Sequence, residues 1–117
     1  MEQSVVSVDR IGSAVVVTPH GEIDAATTPA LRDVLLAVLA DRPTALVIDL
    51  SRVSFLDSVC LGALVGAAGR AALADCTFAL ANPTPIAARL LAITALDRAL
   101  TVAPTITEAL AGPASTR

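Results

Sequence analysis

Two short runs rich in β-branched residues open the chain, Ser4 to Val8 and Ala14 to Thr18, with Asp9-Arg10-Ile11-Gly12-Ser13 between them. Apolar runs flanking a polar, glycine-containing break predict a hairpin, so the sheet is expected to begin antiparallel. After Pro19 to Asp24 the period changes. Leu31, Val34, Leu35, Val38 and Leu39 recur at the spacing of one helix face, with Thr27 or Thr28 available as cap and Pro29 suited to the first turn. The run Ala45 to Leu50 is almost wholly apolar and reads as a central strand, and its exit reads as a loop carrying Ser58. A helix is predicted over about Val59 to Leu73 and a strand near Thr77 to Leu80. Asn82-Pro83-Thr84-Pro85 then breaks the chain ahead of a helix over about Ile86 to Thr94, whose buried face is expected at Ile86, Leu90 and Ile93 with Leu91 beside them. A weak strand near Leu100 to Val102 and a short helix from Pro104 to Ala111 complete the pattern.

Strands alternating with helices over short connections predict an α/β fold. The expected architecture is a mixed sheet of about five strands, its opening hairpin strand at the edge and the rest mainly parallel, with about four helices. The chain's 117 residues fit one domain. We expect it over residues 1–112, with a frayed tail at 113–117. Phe55 and Phe78 are the only aromatic residues, so the core must be built from Ala, Val, Leu and Ile.

Net charge is −3 and the basic residues are isolated arginines from Arg10 to Arg117, so no basic stripe follows a phosphate backbone and nucleic acid is not expected as a partner. The N-terminus lacks a basic segment followed by an apolar one, and the run Val59 to Gly69 is shorter than the roughly 18 residues that suggest a membrane span. A cytoplasmic protein without membrane association is expected. Cys60 and Cys76 have neither CxxC spacing nor a His cluster, which suggests thiols and no metal or other cofactor.

Candidate chemistry centres on Asp57-Ser58, where the apolar run gives way to a helix. Either residue can cap that helix, at about 1 kcal/mol. Alternatively, a presented hydroxyl at the positive end of a helix is a place where phosphate is tolerated. Glu22 and Asp24 have no accompanying His or second acid cluster, so solvated loop acids are a better reading than a catalytic pair. His20, beside Pro19 and Gly21, reads as a loop residue. No nucleophile–base pair or metal set suggests an enzyme. Gly62, Gly66 and Gly69 fall inside the predicted helix rather than in a turn before it, which argues against a nucleotide loop and for close packing of the helix on the sheet. Cys60 reads as a small apolar contact residue, the alternative being a thiolate made redox-reactive by the first helical turn.

SFLDSVCLGALVG, preceded by a strand ending in Asp-Leu, resembles the Asp-Ser-Ser/Thr-Gly-Leu-Gly signature of STAS-domain anti-sigma factor antagonists. HGEID at His20 to Asp24 is similar to the segment before that family's first helix, and the element order agrees from about residue 4 to 111. Val59 and Cys60 depart from the signature, replacing a second hydroxyl residue and a glycine. The resemblance implies a bacterial regulator that binds an anti-sigma factor with serine kinase activity when Ser58 is unmodified, thereby releasing a sigma factor. Phosphorylation of Ser58 by that kinase, with ATP and Mg²⁺ held on the kinase, would reverse binding, and a serine phosphatase would restore it. The implied partner-binding surface comprises Asp24, Ala25, Ala26, Thr27, Leu56, Asp57, Ser58, Val59 and Cys60, with the Asn82 to Pro85 turn alongside. A thiol in place of glycine is expected to reshape that surface. The alternative function is a stand-alone sensory or scaffold domain of the same fold, unresponsive to phosphorylation and acting through a ligand pocket or Cys60. The edge strand Ser4 to Val8 is apolar enough for a second copy to cover it, giving a homodimer.

Overall fold

The second β-branched run extends well beyond the residues that predict it, and its length organises the sheet. The computed structural model describes residues 5–111. In it β1 (Val5–Ile11) and β2 (Ala14–Ile23) are joined by Gly12-Ser13 alone. Gly12 has φ 62°, the positive value that a two-residue hairpin of type II′ asks of its first central position. Asp9, Arg10 and Ile11 are therefore ladder residues rather than turn residues. The strand start expected at Ser4 and the tail expected at 113–117 lie outside the described residues.

The remaining elements are α1 (Thr28–Ala40), β3 (Ala45–Asp49), β4 (Val53–Leu56), α2 (Ser58–Leu73), β5 (Thr77–Ala81), α3 (Pro85–Ile93), α4 (Leu96–Ala99), β6 (Val102–Ala103) and α5 (Ile106–Leu110). The sheet runs β1-β2-β3-β5-β6, antiparallel between β1 and β2 and parallel elsewhere. The α/β mixed sheet is as expected, but with six strands and five helices among the described residues. The added strand, β4, pairs in parallel with the far end of β2 after β3 has diverged from it. The stretch expected to be a loop before Ser58 is thus partly strand, and so is His20 to Ile23. Pro19 and Gly21 resemble breakers in sequence, yet β1 pairs with β2 as far as His20, and β4 takes over from Gly21.

Alternation along the strands divides the core. Val15, Val17, Leu46, Ile48 and Leu80 face α1, α2 and α3, where Leu31, Leu35, Leu64 and Leu91 meet them. Val16, Val47, Ala79 and Ala81 face the other way, toward Ala109 of α5. β3 is consequently buried along its whole length. Burying one leucine contributes about 1.5–3 kcal/mol, so this aliphatic core needs no aromatic centre.

Two predicted helix faces are corrected. In α3 the buried residues are Ala87 and Leu91, while Ile86 is exposed and Ile93 is 71% exposed. Gly62, Gly66 and Gly69 are exposed and face away from the sheet, with nothing within 4 Å of where a Cβ would stand. Leu61, Ala63, Leu64 and Ala67 make the buried side of α2 instead.

Glycine in an exposed helix interior costs about 1 kcal/mol relative to alanine. Because a methyl group at position 66 meets open space, Gly66→Ala is expected to stabilise the protein by about 1 kcal/mol and raise the melting temperature by roughly 4 °C, measurable by circular dichroism.

Candidate functional site

β2 and β4 lie in register at their C-terminal ends, Ile23 opposite Leu56, and the Asp57 amide donates to the Ile23 carbonyl at 3.1 Å. Both side chains of that last pair are buried. The residues that follow, Asp24 and Asp57, therefore leave the sheet next to one another at the end where the parallel strands of an α/β fold present their loops.

Asp57 stops the strand and starts α2. Its backbone is extended (φ −104°, ψ −177°), and its Oδ1 accepts from the Cys60 amide at 3.0 Å. Asp57 is thus the capping residue of the pair. Ser58, first in the helix and exposed, has no capping duty, and its hydroxyl is presented to solvent at the positive end of the helix dipole.

Asp24 organises the neighbouring turn. Its Oδ1 accepts from the Ala26 amide at 3.0 Å, the Thr27 amide at 3.1 Å and the Thr27 hydroxyl at 3.1 Å. The Thr27 amide, the Thr27 hydroxyl and the Ala26 amide together hold the Asp24 carboxyl below the ordinary carboxylate range. Thr27 precedes α1 but makes no side-chain cap bond to it, since its hydroxyl also accepts from the Asp24 amide at 2.9 Å. Ala25 and Ala26 are exposed on this turn and Val59 is exposed on the first turn of α2, while Asp24, Thr27 and Asp57 are half-buried.

Two residues of the expected partner surface face inward. Leu56 is a core residue, and Cys60 is 2% exposed, packed with the aliphatic cluster under α2. Burial first, and the nearby Asp57 carboxylate second, push the Cys60 thiol up to about 12. Cys60 therefore reshapes no contact surface directly. Burial and the adjacent carboxylate both disfavour the thiolate, which speaks against the redox-reactive alternative. His20, expected in a loop, is a strand residue whose Nε2 lies 3.3 Å from Ser7 Oγ. Glu22, also expected in that loop, is an exposed β2 residue opposite Phe55, itself 40% exposed.

The sequence reading missed the residues that hold β4 in place. Thr84 Oγ1 donates to the Val53 carbonyl at 2.9 Å and accepts from the Ala87 amide at 3.3 Å, so one hydroxyl caps α3 and ties it to β4. Asp49 Oδ1 accepts from the Ser51 amide at 3.0 Å and Asn82 Nδ2 at 3.4 Å, stitching the turn before β4 to the turn after β5. The polar turn Asn82 to Thr84 was visible in sequence as a helix start, but its long-range partners were not. Among the described residues no cluster of His, Cys, Asp and Glu could hold a metal ion, and no helix is long and apolar enough to cross a membrane.

A STAS-domain family model matches residues 5–109. The anti-sigma-F factor antagonist RsfB of Mycobacterium tuberculosis is 37% identical over 92 residues, covering 79% of this chain and 75% of its own. The crystal structure of an anti-sigma factor antagonist from Mycobacterium paratuberculosis superposes with a TM-score of 0.85 at 37% identity, covering 93% of this chain and 92% of the other. SpoIIAA in its unphosphorylated form superposes at 0.78 and 20% identity, over 91% of this chain and 93% of its own. The phosphorylated form of SpoIIAA, a Bacillus cell-fate determinant, gives 0.71 at the same identity over 92% and 97%. The SpoIIAA comparisons bear on the fold alone.

Two outcomes test the site chemistry. The depressed Asp24 carboxyl stabilises its turn above the unfolded-state pKa, and that contribution is lost as pH falls through the folded value. In an NMR pH titration, Thr27→Val is expected to move the Asp24 midpoint upward toward the ordinary range. Native Cys60 is expected to react with iodoacetamide at pH 8 far more slowly than the same residue in denaturant, and mass-spectrometric rates like those of a free thiol would contradict its burial.

Proposed function

Since the chain belongs to the STAS-domain family and shares 37% identity with an anti-sigma factor antagonist across 75% of that relative, we propose that it is a phosphorylation-switched antagonist of an anti-sigma factor. The observation that carries the reading is the division of labour at α2: Asp57 caps the helix, leaving the Ser58 hydroxyl exposed beside the Asp24 turn. With Ser58 unmodified, the surface of Asp24 to Thr27 with Asp57, Ser58 and Val59 docks on an anti-sigma factor with serine kinase activity, and the sigma factor is released. Leu56 and Cys60 support this surface from beneath.

The switch follows from charge. The kinase transfers the γ-phosphoryl group of its ATP to Ser58 Oγ: the Oγ–P bond forms, the bond to ADP breaks, and the hydroxyl proton passes to a base on the kinase. The phosphate brings about −1.5 to −2 charges. At the helix N-terminus the fold tolerates them. A docked partner would instead have to desolvate a dianion beside two carboxylates. Like charges about 4 Å apart near a surface repel by up to about 4 kcal/mol, and 1.4 kcal/mol is already tenfold in affinity. A serine phosphatase acting on the modified residue restores docking. The competing reading, a sensory or scaffold domain of the same fold acting through a ligand pocket or Cys60, is less well supported at Cys60, which lies in the core.

The test is incubation with the purified anti-sigma factor of the same bacterium and Mg·ATP, with mass spectrometry to locate phosphate and calorimetry to measure binding. Phosphate is expected at Ser58 and nowhere on Ser58→Ala, and Ser58→Asp is expected to bind at least tenfold more weakly than the unmodified chain. Wild-type affinity of Ser58→Asp would sink the switch.

A further inference from the structure

Helix α2 is apolar on every side. Leu61 and Leu64 lie in the core, while on the outer side solvent meets Val59, Val65 and Leu73, the last 89% exposed, with bare backbone at the glycines between them. A surface helix ordinarily carries polar groups on its outer side, and one that is apolar all round belongs in an interior. Arg70 is its single charged residue. The fold has no use for Gly66, whose position has open space for a side chain. A glycine there leaves the helix backbone open to close approach from outside.

Alongside this face a groove of about 180 Å³ runs between α1 and α2, floored by Leu35, Leu36, Ala63 and Ala67, with Arg32 and Arg70 on it and no acidic residue lining it. Among the described residues the ion pair is Arg10–Asp41, and neither guanidinium of the groove has an ion-pair partner there. The volume falls below the roughly 300–1,000 Å³ of a site that encloses a small organic ligand. A shallow apolar trough with uncovered backbone suits the ridge of another helix, and free guanidiniums call for carboxylates.

We infer that this groove receives an amphipathic helix of the anti-sigma factor, its apolar side on Gly62 and Gly66 and its acidic residues on Arg32 and Arg70. The inference rests on the antagonist reading and deepens it. Continuity favours this occupant, because the exposed apolar face begins at Val59, directly after Ser58, and runs the length of a helix of roughly 24 Å. The phosphate then acts at the head of a longer interface rather than on an isolated loop.

Calorimetry of the full chain against the anti-sigma factor that phosphorylates Ser58 tests it. Gly66→Leu fills the groove at a position with open space, and the double variant Arg32→Glu/Arg70→Glu reverses its charge without touching the core. Each is expected to weaken binding at least tenfold, with the Gly66→Leu melting temperature at or above wild type and the wild-type affinity falling as salt rises. Ile93→Glu, which removes an exposed apolar side chain from α3, is expected to bind as wild type. If both groove variants bind as wild type while Ser58→Asp is weakened, the groove is overturned and the switch stands. Weakening in the groove variants alone supports the groove and fells the switch, and wild-type binding by every variant fells both. A wild-type chain that sediments as a dimer, and as a monomer once Gly66→Leu is introduced, overturns the inference in favour of a second copy.

Discussion

The parallel pairing of β4 with the far end of β2 is the constraint on which the rest of this surface depends. Ile23 and Leu56 are buried opposite one another, and the Asp57 amide is bonded to the Ile23 carbonyl. A slip of one residue would send Leu56 to solvent and Phe55 to the core, so burial locks the register. The strand is only four residues long and contains a register irregularity, two positions advancing on β4 between Val53 and Phe55 for one on β2. Its own ladder is too short to hold it, and the Gly21 amide to the Arg52 carbonyl and the Thr84 hydroxyl to the Val53 carbonyl supply the remaining anchors. Two distant segments of chain, the end of β2 and the turn before α3, thus fix where α2 begins.

Once α2 begins at a fixed point, its first residues divide structural and chemical roles. The Asp57 carboxylate satisfies a helix amide that would otherwise be unpaired, which leaves the next residue free to change its charge without loss of the cap. Asp24 satisfies its own turn in the same way. Both acids are thereby held by backbone donors, and on the proposed reading a phosphate on Ser58 would enter a neighbourhood that is already negative. On that reading, a phosphate at the solvated helix N-terminus is tolerated by the fold, whereas a docked partner would have to take that charge out of water.

Much of the fold was legible because burial imposes a period. Leu31, Leu35, Val38 and Leu39 are buried in α1 as their spacing requires, and the almost wholly apolar run of β3 is covered on both faces. β4 escaped detection because its burial runs buried, exposed, exposed, buried, which the irregularity at Ser54 makes unlike a strand's alternation. Helix faces were misassigned where apolar residues occur on every side. In α3 the spacing of Ile86, Leu90 and Ile93 competes with that of Ala87 and Leu91, and only the sheet beneath decides between them. The glycines of α2 were turned outward, and Cys60 inward, by the same tertiary choice.

By itself the amino-acid sequence determined the α/β order, an aspartate-serine pair where a helix begins, and the apolar character of that helix, because propensity, capping and periodicity are local. Only the tertiary structure decided that Asp57 rather than Ser58 does the capping, that Asp24 arrives beside it, and which side of α2 meets solvent. Those outcomes depend on hydrogen bonds and burial between segments distant in the chain, and no local pattern encodes which distant partner a side chain will find.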